Sequence, residues 1–193
     1  MDEVRAFFEL LGMLVIDPRT GVLLALLAAA AVSDYRTYRI PNLLTGGGIA
    51  FALVYNIVSP PWHADWTFAP AGMLLGFGAM LPLYALRALG AGDVKLMAMV
   101  GAFLGVAGTT QALLFSIVTG GIAALAYSQR KRSTGPMLAN AGAIMRGLLW
   151  SPISGANPQL RPDSMASVGK LAYGISIAVG TTCYLVAQQF GLI

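Results

Sequence analysis

The sequence predicts an all-α, polytopic membrane protein with about six transmembrane helices and an amphipathic N-terminal helix. Three observations carry this reading. Of the 193 residues, 57% are hydrophobic and only 10% charged, where soluble domains carry about 25% charged residues. Long apolar runs recur along the whole chain, at lengths suited to helices in a bilayer. The basic residues fall in alternate connections, as they do when charge sets a membrane topology.

The elements follow in order. Val4, Phe7, Phe8, Leu11 and Val15 share one helical face, so residues 1–19 are expected to lie on the membrane as an interfacial helix. The run LLALLAAAAVS resembles the core of a signal peptide. Asp2, Glu3, Glu9 and Asp17 precede it in place of a basic region, which argues against cleavage. The first span is expected at about 20–34 and the second at 43–58, after the break at Pro41. The third covers 69–89, with Pro82 inside it. The fourth covers about 94–106, the fifth 110–127 and the sixth 170–190. Several are shorter than the ~20 residues of a full crossing, and the fourth also fits a re-entrant segment. Residues 128–169 form a long connection. Within it Met137, Ala141, Ile144, Met145 and Leu148 recur at helical spacing, before the proline-rich, irregular SPISGANPQLRPD. No internal repeat is visible, and residues 1–193 read as a single membrane-embedded domain.

Of the 12 Lys and Arg residues, only Arg5 and Arg19 fall outside the connections at 34–42, 87–95 and 128–169 and their edges. The positive-inside rule places those connections in the cytoplasm and both termini outside. The net charge of +4 therefore reports topology and contact with lipid headgroups, not a nucleic-acid partner. The QRKR that opens the long connection suits anionic headgroups. The single cysteine, Cys183, excludes an internal disulfide and a four-cysteine zinc site; it reads as a small buried hydrophobe. His63 and Asp65, beside Trp62 and Trp66, are too few ligands for a metal. No metal and no cofactor are expected.

Asp34 ends the first span and Asp93 begins the fourth, both at the cytoplasmic edge. A carboxylate near lipid is costly and marks a functional path or a buried pair. Two carboxylates brought together share a proton, so that one serves as base toward water and the other as acid toward a carbonyl or leaving amine. That is aspartic-protease chemistry. Gly90 and Gly92 clear side chains from the backbone before Asp93, where an extended substrate could pair. The plainer alternatives are an N-cap for each aspartate and a salt bridge from Asp34 to Arg36 or Arg39. A different class, a small proton- or ion-coupled transporter, would use Asp34 and Asp93 as carriers; such proteins favour repeated halves and acids at the bilayer midplane.

SDYRTYRIPN (33–42) and GAGDVKL (90–96) resemble the two motifs of the type IV prepilin peptidases, membrane aspartic proteases of the GxGD class. KLAYGISIAVG (170–180) resembles the closing helix of the short Tad/Flp-pilus branch. The resemblance implies catalytic roles for Asp34 and Asp93 and motif support from Gly90 and Gly92. It also implies a bacterial inner-membrane enzyme that removes the short basic leader of prepilins or pseudopilins at the cytoplasmic face. Lys95, inside the second motif, and Arg36 and Arg39 are candidates for orienting substrate, with membrane anchoring the plainer explanation of Arg36 and Arg39. Methylating members of the family add a region with paired, zinc-binding cysteines. The sequence carries no cysteine pair, so cleavage without methylation is expected. Which prepilin is cut, and the oligomeric state, are not legible.

Overall fold

The structure, a computed structural model, describes residues 18–59, 65–86, 88–130, 142 and 172–192. Residues 1–17 of the expected interfacial helix and most of the 128–169 connection lie outside these residues, as does His63, while Pro18 and Arg19, expected in that interfacial helix, open the first bundle helix instead. All regular structure among the described residues is helical: α1 (Pro18–Thr37), α2 (Asn42–Val58), α3 (Phe68–Ala85), α4 (Ala91–Arg130) and α5 (Tyr173–Gln189).

The turn between α1 and α2 is set by its own sequence. Tyr38 adopts a left-handed conformation (φ 51°), which ends α1 while its N–H still bonds the Asp34 carbonyl at 2.9 Å. A non-glycine residue in that region is uncommon and costs about 1–2 kcal/mol. The hydroxyl of Ser33 donates to the Arg39 carbonyl at 2.8 Å, tying down the turn. Pro41 follows in extended geometry (φ −61°, ψ 133°) as the residue before α2. A proline also restricts the residue ahead of it to extended backbone, and this aims Ile40 back into the bundle.

α3 ends at Ala85, earlier than the expected 89. Pro82 offers no N–H to the helix behind it. One turn later the Leu86 and Ala88 N–H groups fold back onto the Pro82 and Leu83 carbonyls, closing the helix. The expected fourth and fifth spans form one helical element, α4, broken at Gly105 (φ 67°, ψ −172°). Ile40 lies beside both Gly92, next to Asp93, and Gly174 at the start of α5, and the Tyr173 ring lies where a side chain at Gly120 would be. In a straight helix, Asp93 and Gly120 would be about 40 Å apart. The chain therefore reverses at Gly105, making two antiparallel legs. Together with the other helices they give six helical rods among the described residues.

Close backbone approach holds the first leg against α3. Gly72 and Gly76 face Gly101, Gly105 and Met97: a Cβ at Gly72 would strike the Gly101 carbonyl oxygen, and one at Gly105 the Phe68 ring. This is small-residue packing with a four-residue repeat on both helices, the device that lets helices associate in lipid, where the hydrophobic effect gives no drive. Leu23, Leu27, Met97, Met99, Val100, Phe103 and Ile177 fill the core.

Polarity is distributed inside out. Asp34, Asp93, Asn56, Thr45, Thr109, Ser116 and Thr181 are buried, while Val54, Ile57, Leu74, Leu114, Ile117 and Ile122 are exposed. α3 and the 91–127 stretch are long and apolar enough to cross a membrane. Cys183 departs from expectation: it is exposed, on the outer face of α5. An apolar run in a membrane helix does not tell the lipid face from the packed one, and here the packed face goes to Gly180, Thr181, Tyr184 and Leu185.

Candidate active site

The turn after α1, the start of α4 and the start of α5 meet at one end of the bundle. Each buried aspartate there is held by backbone amides at a helix N-terminus, where orphan N–H groups and the helix dipole favour a carboxylate. Asp93 lies in the first turn of α4, and its Oδ2 accepts the Gly90 N–H at 3.0 Å. The Asp93 N–H donates to the Gly90 carbonyl at 3.1 Å. This resembles half of a capping box, with the acid reaching back to the residue that opens the helix. Asp34 comes from the last turns of α1, yet its Oδ2 accepts the Gly174 N–H of α5 at 2.8 Å.

The N-cap alternative thus fits part of the geometry, but Asp34 caps a helix distant in sequence rather than its own. No ion pair among the described residues joins Asp34 to Arg36 or Arg39, both of which are exposed. Asp34, on the Gly174 amide, and Asp93, one residue after Gly92, stand at the same end of the bundle, with Ile40 beside both glycines. They are 5% and 8% exposed, so both charges are largely removed from solvent but not sealed off. Each keeps acceptor capacity beyond its backbone bonds.

Ile40 sits between the two helix starts. Its Cβ lies 3.3 Å from where a side chain at Gly92 would begin, and its Cδ1 lies 3.0 Å from the same point at Gly174. A side chain at Gly92 would therefore crowd Ile40. Gly90 is looser, since a side chain there would meet the Asp93 carboxylate no closer than 3.4 Å.

Lys95 follows Asp93 by two residues, which points it to the opposite side of α4. Its Nζ donates to Asn42 Oδ1 at 2.9 Å, so the two sequence motifs are bonded through side chains. Lys95 and Asn42 close the polar end of a cavity of ≈ 350 Å³, whose walls include Ile49, Met73, Leu74 and Phe77. Among the described residues, no three His, Cys, Asp or Glu side chains are grouped as metal ligands.

Gly174 and Ile40 are the residues of this site that sequence reasoning passes over. Both lie within stretches that carry the family resemblance, but only the meeting of distant segments shows what they touch.

Two buried carboxylates, each held by a backbone amide at one end of an apolar helical bundle, are what the fold presents as its site. Residues 21–125, more than half of the chain, match the type IV leader peptidase family, and the chain belongs to that family. It is 33% identical over 165 residues to the prepilin leader peptidase/N-methyltransferase of Dickeya chrysanthemi, covering 76% of this chain and 57% of that protein. It is 33% identical over 103 residues to the protein of the same description from Bacillus subtilis (strain 168), covering 52% of this chain and 41% of that protein. The chain thus spans about half the length of these curated relatives. No solved structure matches it.

Proposed function

We propose that the chain is an aspartic endopeptidase of the bacterial inner membrane. It spans the membrane with six helical rods and removes the short basic leader of Tad/Flp-like prepilins or pseudopilins at the cytoplasmic face. What supports the reading is that Asp34 and Asp93, from the two family motifs, are both buried at one end of the bundle.

In this reading Asp34 and Asp93 hold one proton between them. The ionised member takes a proton from water as the water oxygen bonds the scissile carbonyl carbon. The protonated member hydrogen-bonds the carbonyl oxygen. Collapse of the tetrahedral intermediate breaks the C–N bond and passes a proton to the leaving amine, which becomes the new N-terminus. No covalent enzyme intermediate is needed. Gly90 and Gly92 keep the approach to Asp93 free of side chains. Lys95, at the polar end of the cavity, and the exposed Arg36 and Arg39 orient the substrate. A carrier role for the two aspartates has no support from a family of peptidases.

Co-expression with candidate prepilins, followed by mass measurement of their N-termini, tests the proposal. The expected product is a leaderless chain without added methyl mass. An intact leader with every candidate, together with a defect in ion flux on changing Asp34 or Asp93, would turn the reading toward transport.

A further inference from the structure

We propose that the start of α5 is a third part of the catalytic centre and that Gly174 is a positioning residue for Asp34. The inference rests on the peptidase reading above. Asp34 stands in the last turns of α1, just before a turn with a left-handed residue at Tyr38. Nothing in α1 itself fixes the direction of its carboxylate. That direction is set from outside by the Gly174 N–H, at 2.8 Å in a buried contact. Buried hydrogen bonds to a charged group are the strong and geometrically demanding kind.

Glycine is required here for space, not for backbone conformation. A Cβ at Gly174 would lie 2.7 Å from Asp34 Oδ2 and 3.0 Å from Ile40 Cδ1. Both are closer than ordinary contact, so a methyl group must displace the carboxylate, the isoleucine or the helix. The closer contact is with the carboxylate, and moving Ile40, which faces no side chain at Gly92, would leave that contact in place. α5 is itself pinned. The Thr119 hydroxyl of α4 donates to the Ser176 carbonyl at 2.9 Å, and a Cβ at Gly180 would meet the Ser116 backbone at 2.6 Å. The carboxylate is therefore the group that gives. Misplacing a reacting group by about 1 Å costs on the order of 10²-fold in rate.

Helix propensity makes the opposite forecast. Gly174 lies in the first turn of a regular helix, where alanine is intrinsically better than glycine. Gly174→Ala should leave thermal stability near that of the parent while kcat for leader removal falls about 10²-fold and KM stays close to the parent value. Gly78→Ala, at a position with nothing within 4 Å, is the control and should do neither. A readout independent of substrate is the carboxyl carbon resonance of Asp34 in protein labelled at aspartate, assigned by its loss in Asp34→Asn. It should move in Gly174→Ala and stay in place in Gly78→Ala. Gly174→Ala combined with Ile40→Val separates the two crowded contacts, because it relieves only the apolar one; it should remain slow. Parent-like kcat in Gly174→Ala, or full recovery in the double variant, would overturn the proposal. If the parent chain cleaves no prepilin, the peptidase reading fails, and the resonance decides alone: an unmoved Asp34 signal in Gly174→Ala overturns the positioning role.

Discussion

The two ends of the bundle treat buried polar groups in opposite ways. Away from the aspartates, Asn56 is 2% exposed. It accepts from Arg19 and donates to the carbonyls of Asp65 and Trp66. The Arg19 guanidinium lies over the Tyr55 and Phe68 rings, 5.6 and 5.1 Å from their centroids, a cation–π arrangement. Side chains of α1, α2 and α3 thus bind one another, and the Asn56 amide uses nearly all of its hydrogen-bonding capacity. At the other end, Asp34 and Asp93 take backbone amides and keep spare acceptor sites. A polar group that is buried and saturated reads as structure. One that is buried and kept underused, at a desolvation cost, reads as a site.

The largest effect expected is at the underused end. Asp34→Asn and Asp93→Asn should each lower leader cleavage by about 10³-fold or more, with the double variant no worse than either, because the members of a pair act as one unit. Thermal unfolding in detergent should stay near that of the parent. Additive losses would mean two independent roles rather than a pair.

Gly105→Ala should damage both ends at once. The left-handed backbone and the Phe68 ring together cost about 2–4 kcal/mol, visible as a lower unfolding midpoint. Cleavage should fall in parallel with the folded fraction, because the reversal at Gly105 sets where Asp93 stands. Asn56→Ala should damage the saturated end alone. Leaving buried partners unpaired costs about 1–3 kcal/mol, while cleavage per folded molecule stays at the parent level. A change in kcat with unchanged stability would erase the distinction between the two ends.

Lys95→Met should have the smallest effect. It removes an exposed bond to Asn42 on the far side of α4 from Asp93. A loss of less than about tenfold in kcat/KM, with kcat nearly intact, fits a group that binds substrate rather than reacts. A fall in kcat as large as that of the aspartate variants would place Lys95 among the reacting groups.

Much of this comparison is legible in the sequence, and unevenly so. The helical rods follow from apolar runs and their breakers, because Pro41 and Pro82 act locally. The aspartates stand out because few charges lie in so apolar a chain. The reversal at Gly105 is harder to place: GAFLGVAGTT offers more than one glycine, and only the contact with Phe68 and Gly72 selects the one with positive φ. Gly174 and Ile40 are silent as residues, one a helix glycine and the other an apolar side chain before proline. Their roles arise where three segments distant in sequence converge. Cys183 fails for a related reason, since hydropathy cannot orient a helix whose two faces are both apolar.

The most direct test of the paired-acid claim is binding of a prepilin peptide in which a hydroxymethine replaces the scissile carbonyl, mimicking the tetrahedral intermediate. Its Kd would be measured by calorimetry on the reconstituted protein. The account predicts binding at least about 10²-fold tighter than the matching uncleaved peptide, with that advantage lost to the same extent in Asp34→Asn and in Asp93→Asn. An analogue bound as tightly by either variant as by the parent would show that the two carboxylates do not act on one carbonyl.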